Sequence, residues 1–133
     1  MDEAVRAREV IGEYLAAMER GDREAAVALY ADGVVMHVPG RSAFAGERRG
    51  REAVLAYLRA ALELAVGGVE VELVDLLVGD GDRVALLLRE RLRGAGGELV
   101  LRRANVYTIR DGRIAEIRIF EHDQYAVDAY LEG

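Results

Sequence analysis

The chain has 133 residues, enough for one domain, with 52% hydrophobic and 32% charged residues and a net charge of −6. That negative charge, spread without a block of like residues, excludes the basic face of a nucleic-acid binder. Cysteine and lysine are absent and the only histidines are His37 and His122, which removes disulfides, thiolate sites, a Schiff-base lysine and a histidine-dominated metal site.

The N-terminal Met-Asp-Glu-Ala-Val-Arg lacks the basic-then-apolar pattern of a signal peptide. No apolar run approaches the roughly 18 residues that span a bilayer. The expectation is a soluble cytoplasmic protein with no nucleic-acid or membrane partner.

Residues 2–20 carry helical periodicity, with Val5, Val10, Ile11, Tyr14, Leu15 and Met18 on one stripe. Asp2 is placed to cap that helix, Gly21 to end it, and Asp22 to cap a second helix over 23–30. Asp32-Gly33 reads as a turn, and 34–38 as a short β-rich run stopped by Pro39. Residues 40–50 (GRSAFAGERRG) read as a flexible polar loop, either a lid carrying Phe44 or a plain connection. A third helix is predicted over 51–66, with Val54, Tyr57, Ala61, Leu62 and Ala65 facing inward and Gly67-Gly68 ending it.

The period then changes to two. Residues 69–78, 83–93, 99–110 and 113–121 read as strands joined by glycine-rich turns, of which Asp111-Gly112 is the strongest hairpin signal. Residues 125–131 read as a short final helix. Helices early and an antiparallel meander late make an α+β pattern, with helices packed on one face of a sheet, in a single domain over 1–133.

Gly21-Asp22 is followed eight residues later by Tyr30-Ala31-Asp32, then come Gly50-Arg51-Glu52-Ala53-Val54 and Asp111-Gly112-Arg113-Ile114-Ala115-Glu116. In this order and spacing the segments resemble the SnoaL-like, nuclear transport factor 2 (NTF2)-like and ketosteroid isomerase-like superfamily, over about residues 10–121. The resemblance implies a cone-shaped, cystatin-like fold. A curved, mostly antiparallel sheet and three helices would enclose an apolar pocket, and such domains are commonly homodimers through the outer sheet face. The superfamily hosts isomerases, polyketide cyclases, epoxide hydrolases, dehydratases and non-catalytic binders, so function rests on individual residues.

By resemblance to ketosteroid isomerases, Tyr14 is the oxyanion-stabilising tyrosine, and Tyr30 and Tyr57 fall at or beside supporting tyrosines. A phenol in a dry pocket stabilises an enolate well; the alternative is a tyrosine on the core stripe. Asn105 falls where those isomerases carry a protonated aspartic acid, and an amide can donate the same hydrogen bond. Strand alternation puts Leu101, Arg103, Asn105, Tyr107 and Ile109 on one face. The isomerases' carboxylate base, however, is replaced by Val38, which cannot move a proton. His37 stands beside it, on the opposite face by simple alternation unless a bulge turns it inward.

Other groups remain for the base. Asp123 is nearest to the acidic residue of SnoaL-like cyclases, whereas alternation from Ile117 and Ile119 aims Glu121 at the pocket. Glu90 interrupts the apolar run Val84, Leu86, Leu88 and needs a partner, Arg103 or Arg89. The Asp-Arg-Asp site of limonene epoxide hydrolases has a possible arginine in Arg103 but no two aspartates placed beside it.

The expected activity is therefore a cofactor-independent isomerisation or cyclisation of a small hydrophobic carbonyl compound. Tyr14, His37, Asn105 and Asp123 form the catalytic set. Tyr30, Val38, Phe44, Tyr57, Glu90, Arg103, Tyr107, Ile119 and Glu121 line the substrate site. No cofactor and no metal are called for. The alternatives are a non-catalytic binder of a small hydrophobic ligand, an epoxide hydrolase or a structural dimerisation module.

Overall fold

The computed structural model describes residues 3–132, so the expected Asp2 cap lies outside the described residues. Helices α1 (Glu3–Glu19) and α2 (Arg23–Ala28) meet at Gly21, whose φ of 70° a side chain would strain. Asp22 caps α2 by accepting a hydrogen bond from the Ala25 amide at 3.1 Å. The buried stripe of α1 is Ala7, Val10, Ile11, Tyr14 and Ala17. Val5 and Met18, expected on it, are each 47% exposed. At about 3.6 residues per turn Val5 stands on the far side of the helix from Tyr14, and Met18 lies in the last turn. The small side chains of Ala7 and Ala17 take the inward positions.

Strand β1 (Tyr30–Val38) starts earlier than expected, one residue after the α2 C-cap, Leu29. Asp32-Gly33 falls inside it as an irregularity, with the register against its neighbour shifting between Tyr30 and Val35. The loop expected over 40–50 contains a short strand, β2 (Gly46–Arg49), antiparallel to β1. Helix α3 (Arg51–Leu64) ends two residues earlier than expected. Val54 and Ala65 are buried as expected, but Leu62 is exposed. The Arg51 side chain donates to the Tyr30 carbonyl at 2.9 and 2.7 Å and ties the start of α3 to the start of β1.

The meander follows as β3 (Gly68–Val78), β4 (Arg83–Gly94), β5 (Gly97–Arg110) and β6 (Arg113–Glu121), closed by helix α4 (Gln124–Glu132). Asp111 and Gly112 have φ of 52° and 73°, the paired left-handed conformations of the two-residue hairpin turn. The sheet order is β2-β1-β6-β5-β4-β3, antiparallel except for the parallel pair β1–β6. Register shifts at Leu73/Asp75 in β3 and Thr108/Ile109 in β5 mark the bulges that bend it. Val34, Met36, Leu86, Tyr107 and Ile117 on its inner face pack with the α1 stripe into one core. Among the described residues no helix is long and apolar enough to cross a membrane.

Candidate functional site

Strand alternation and register put the polar residues of the inner face into rows. Val84 of β4, Tyr107 of β5 and Ile117 of β6 form one row; Leu86, Asn105 and Ile119 form the next; Leu88, Arg103 and Glu121 the third. Tyr107, Asn105 and Arg103 therefore follow one another along the same face of β5 at two-residue steps.

The first row belongs to a tyrosine cluster. The hydroxyls of Tyr14 and Tyr30 are 2.7 Å apart, and the Tyr14 ring centroid lies 5.6 Å from that of Tyr30 and 5.9 Å from that of Tyr107. Burial pushes the Tyr14 phenol well above its ordinary range, with help from Tyr30. Burial likewise raises Tyr30 to about 12, against the hydrogen bond it shares with Tyr14, and raises Tyr107 strongly. All three are neutral hydrogen-bonding groups at physiological pH. Asn105 joins them through Nδ2, which donates to the Tyr107 hydroxyl at 3.4 Å. In that orientation its Oδ1 is buried with no hydrogen-bond partner among the described residues.

The third row is ionic. Arg103 Nε and Nη2 donate to the two oxygens of Glu121 at 3.0 and 2.6 Å, and Nη1 lies 3.1 Å from a Glu90 oxygen. The three side chains are only 16% (Arg103), 3% (Glu121) and 14% (Glu90) exposed. Burial alone would lower the Arg103 pKa, but Glu90 and Glu121 outweigh it and raise it. Glu121 behaves oppositely to an exposed ion-paired carboxylate. Burial raises its pKa more than Arg103 lowers it, and the charges of Glu90 and Asp128 add to the rise. Two carboxylates thus flank one guanidinium, as glutamates rather than the aspartates sought in the sequence.

Tyr57 of α3 stands over this row. Burial raises its phenol, and it feels the charges of Arg103, Glu121 and Glu90. Its ring meets Phe44 edge-on at 6.1 Å, and the Arg48 guanidinium lies 5.9 Å from its centroid. Phe44 therefore does approach the site, on a short loop between β1 and β2. Val38 and Ile119 are buried on the inner face.

The structure does not bring His37 and Asp123 to this face. Val34, Met36 and Val38 point inward, so His37 points outward; no bulge reverses it. Its Nε2 lies 3.4 Å from Glu116 and its Nδ1 3.7 Å from Glu47. Glu116 is held below its usual range: burial opposes this, but the contact with His37 and the charge of Arg118 prevail. Asp123 is exposed and takes the capping role at the start of α4, accepting from the Ala126 amide at 3.1 Å. As bases toward an inner-face ligand, both are corrected by geometry.

Two residues not singled out in the sequence belong to the site's border. Arg48 Nη2 donates to the Phe44 carbonyl at 2.6 Å and so holds the loop. Asp128 of α4, buried, accepts from the Arg41 amide at 3.3 Å and from Gln124 Nε2 at 3.1 Å. Gly40, with φ of 98°, packs so closely on Asp128 and Gln124 that any side chain there would collide with them. The only sequence signal for Asp128 is an acidic residue beside Val127 on a short amphipathic helix.

A hollow of about 660 Å³ is lined by Val74, Leu87, Ala104 and Phe120 of the other face of the sheet, with Arg89 and Arg102, and also by Leu88, Arg103 and Glu121 of the third row. Phe120 is 55% exposed there. Among the described residues no cluster of His, Asp and Glu is arranged to hold a metal ion.

A curved six-stranded sheet with helices on its inner face, and polar side chains gathered between them, defines a cystatin-like α+β cone. The SnoaL-like domain model matches residues 11–117, and the chain belongs to that family. An uncharacterized protein of Mycobacterium tuberculosis (strain H37Rv) is 34% identical over 115 residues, 86% of this chain and 88% of the relative. The structure of Bal32a from a soil-derived mobile gene cassette superposes with a TM-score of 0.90 at 28% identity, over 98% of this chain and 99% of that one. A protein of unknown function with a cystatin-like fold from Xanthomonas campestris gives 0.86 at 27% identity, over the whole of both chains. Likeness of fold alone extends to an NTF2-like protein from Burkholderia xenovorans LB400 (24% identity, TM-score 0.76, 96% of each chain). It extends also to TerC co-crystallized with polyporic acid (19%, 0.81, 96% of this chain and 99% of that one). A putative polyketide cyclase from Xanthomonas campestris pv. campestris shares it too (20%, 0.72, 98% and 99%).

Proposed function

We propose that the chain binds a small hydrophobic carbonyl compound on its inner sheet face and isomerises or cyclises it by acid–base chemistry. The observation that carries this reading is Glu121: a carboxylate only 3% exposed, on the face that also presents Asn105 and the tyrosine cluster. A buried carboxylate with a raised pKa is suited to take a proton from carbon near neutral pH and to return it. Glu121 therefore replaces His37 and Asp123 as the proposed base, and Arg103 orients it through both oxygens. With Tyr30 as the donor to Tyr14, the Tyr14 hydrogen is free for the developing oxyanion, and the second hydrogen of Asn105 Nδ2, the first being given to Tyr107, is available as another donor. Ligand complexes of proteins with this fold, such as TerC with polyporic acid, support an organic ligand for this chain as well.

The test is exchange of solvent deuterium into the carbon next to the carbonyl of a panel of cyclic ketones and enones, followed by NMR. Exchange by the parent chain and its loss in Glu121→Gln supports the enzyme. Binding without exchange by any member leaves a non-catalytic binding domain. A panel that neither binds nor exchanges leaves a structural module.

One observation favours a second reading. The Glu90–Arg103–Glu121 arrangement is a carboxylate–guanidinium–carboxylate set of the kind that epoxide hydrolases of this superfamily use to activate water. Hydrolysis of a cyclic epoxide to a diol, lost in both Glu90→Gln and Glu121→Gln, would replace the carbonyl reading with this one.

The outer face supports a homodimer. Val74, Leu77 and Phe120 are large apolar side chains exposed on it, and Phe120 borders the 660 Å³ hollow. Light scattering should give twice the chain mass for the parent and the single mass for Phe120→Glu.

A further inference from the structure

The charge count on the inner face says what kind of ligand it admits. Each of the three Arg103 guanidinium nitrogens already faces a carboxylate oxygen, at 2.6, 3.0 and 3.1 Å. Arginine ordinarily offers a carboxylate ligand a free fork. Here the fork is occupied by Glu121 and its flank by Glu90. The other cation at the border, Arg48, is directed to the carbonyls of Phe44 and Ala43 and lies over the Tyr57 ring. Asp128 adds negative field at Glu121. In the row itself two carboxylates face one guanidinium. The neutral part of the same face presents a buried acceptor as well, since Asn105 Oδ1 has no partner when Nδ2 donates to Tyr107. An acceptor left unpaired in a buried setting is stabilised by a ligand donor and worsened by a ligand anion.

We propose that the inner face discriminates against negatively charged ligands and admits neutral or cationic ones: an alcohol or ammonium group binds where a carboxylate of the same shape is rejected. This rests on the reading of the inner face as a ligand site. Glu90 is the residue that sets the preference. It is the second carboxylate on a guanidinium that one would already neutralise, and Glu90→Gln keeps its shape while freeing one side of Arg103.

Three ligands of one shape test it: 2-naphthalenemethanol, 2-naphthalenemethylamine as its ammonium ion, and 2-naphthoate. Their affinities are measured by calorimetry at neutral pH on the parent chain and on Glu90→Gln, with thermal unfolding recorded for both. The expected result is that 2-naphthoate binds the parent at least about tenfold more weakly than the alcohol, while the ammonium binds no more weakly than the alcohol. Glu90→Gln should improve 2-naphthoate relative to the alcohol by about ten- to a hundredfold, the scale of one unit charge a few ångströms away. Parent affinity for 2-naphthoate equal to or above that for the alcohol overturns the proposal and leaves the ligand site standing. So does a ratio that a folded Glu90→Gln does not change. Should Glu90→Gln not fold, the parent ratios alone decide. Failure of all three ligands to bind removes the ligand site itself.

Discussion

Two ends of one strand face solve the same problem differently. Around Tyr107, polar groups are buried as neutral pairs: Tyr14 with Tyr30, and Asn105 with Tyr107. Around Arg103, they are buried as ions, with Glu90 and Glu121 on one guanidinium. The two ends are four residues apart on β5, with Asn105 between them. Neutral pairs lose about 1–3 kcal/mol when one member is removed, the penalty of the neutral group left unsatisfied. Ions lose much, because the partner left behind is a buried unpaired charge. Stability should therefore be sensitive at the ionic end and tolerant at the tyrosine end, while the proposed chemistry needs both.

The largest effect is expected in catalysis. Glu121→Gln should lower turnover of any carbonyl substrate by about 10²–10⁴-fold, the contribution of a positioned acid–base group. A loss confined to KM would make Glu121 a binding residue only.

Next comes stability at Arg103. Arg103→Met leaves Glu90 and Glu121 facing each other without a cation and should destabilise the chain by about 3–5 kcal/mol in urea. A change under about 1 kcal/mol would show that the carboxylates take up protons without penalty and would dissolve the contrast between the two ends.

The same end has a pH signature. The Glu121 pKa is raised above its ordinary 4.5, so the folded chain holds that proton more firmly than the unfolded chain does. Its contribution to stability is complete below the unfolded value and is lost as pH rises through the folded one. Glu121→Gln has no such loss. Its stability relative to the parent should improve as pH rises from the unfolded value through the raised folded one. A constant difference would show a carboxylate that titrates alike in both states.

Smaller effects belong to the neutral end and to the outer face. Tyr14→Phe removes one hydroxyl pair and should cost about 1–2 kcal/mol, with a clear fall in turnover. His37→Ala should leave turnover unchanged and cost at most about 1 kcal/mol, because its partners Glu47 and Glu116 lie toward solvent. A fall in turnover for His37→Ala comparable to that for Glu121→Gln would mean that the wrong face of β1 has been assigned.

The strands of the meander were legible because alternation and the Asp111-Gly112 turn are local signals, and the glycine end of α1 for the same reason, whereas α3 stops at Leu64, ahead of Gly67-Gly68. Strand β2 was not, since Gly-Glu-Arg-Arg has no alternation of its own and becomes a strand only by pairing with β1. Nor was the inward stripe of α1, where Ala7 and Ala17 displaced Val5 and Met18, because closeness to the sheet favours small side chains at those places.

By itself, the sequence determined the α+β order, the inner face of β5 and the placement of Glu121 on the same side as Ile117 and Ile119. These follow from periodicity, which neighbours along the chain impose. Tertiary structure alone decided that Glu90 and Glu121 share Arg103, that His37 faces Glu116 and Glu47, and that Asp128 holds the loop at Gly40. Each of these depends on the register between strands, or on a helix meeting a loop far away in sequence. A one-residue slip in register would have moved every side chain to the other face.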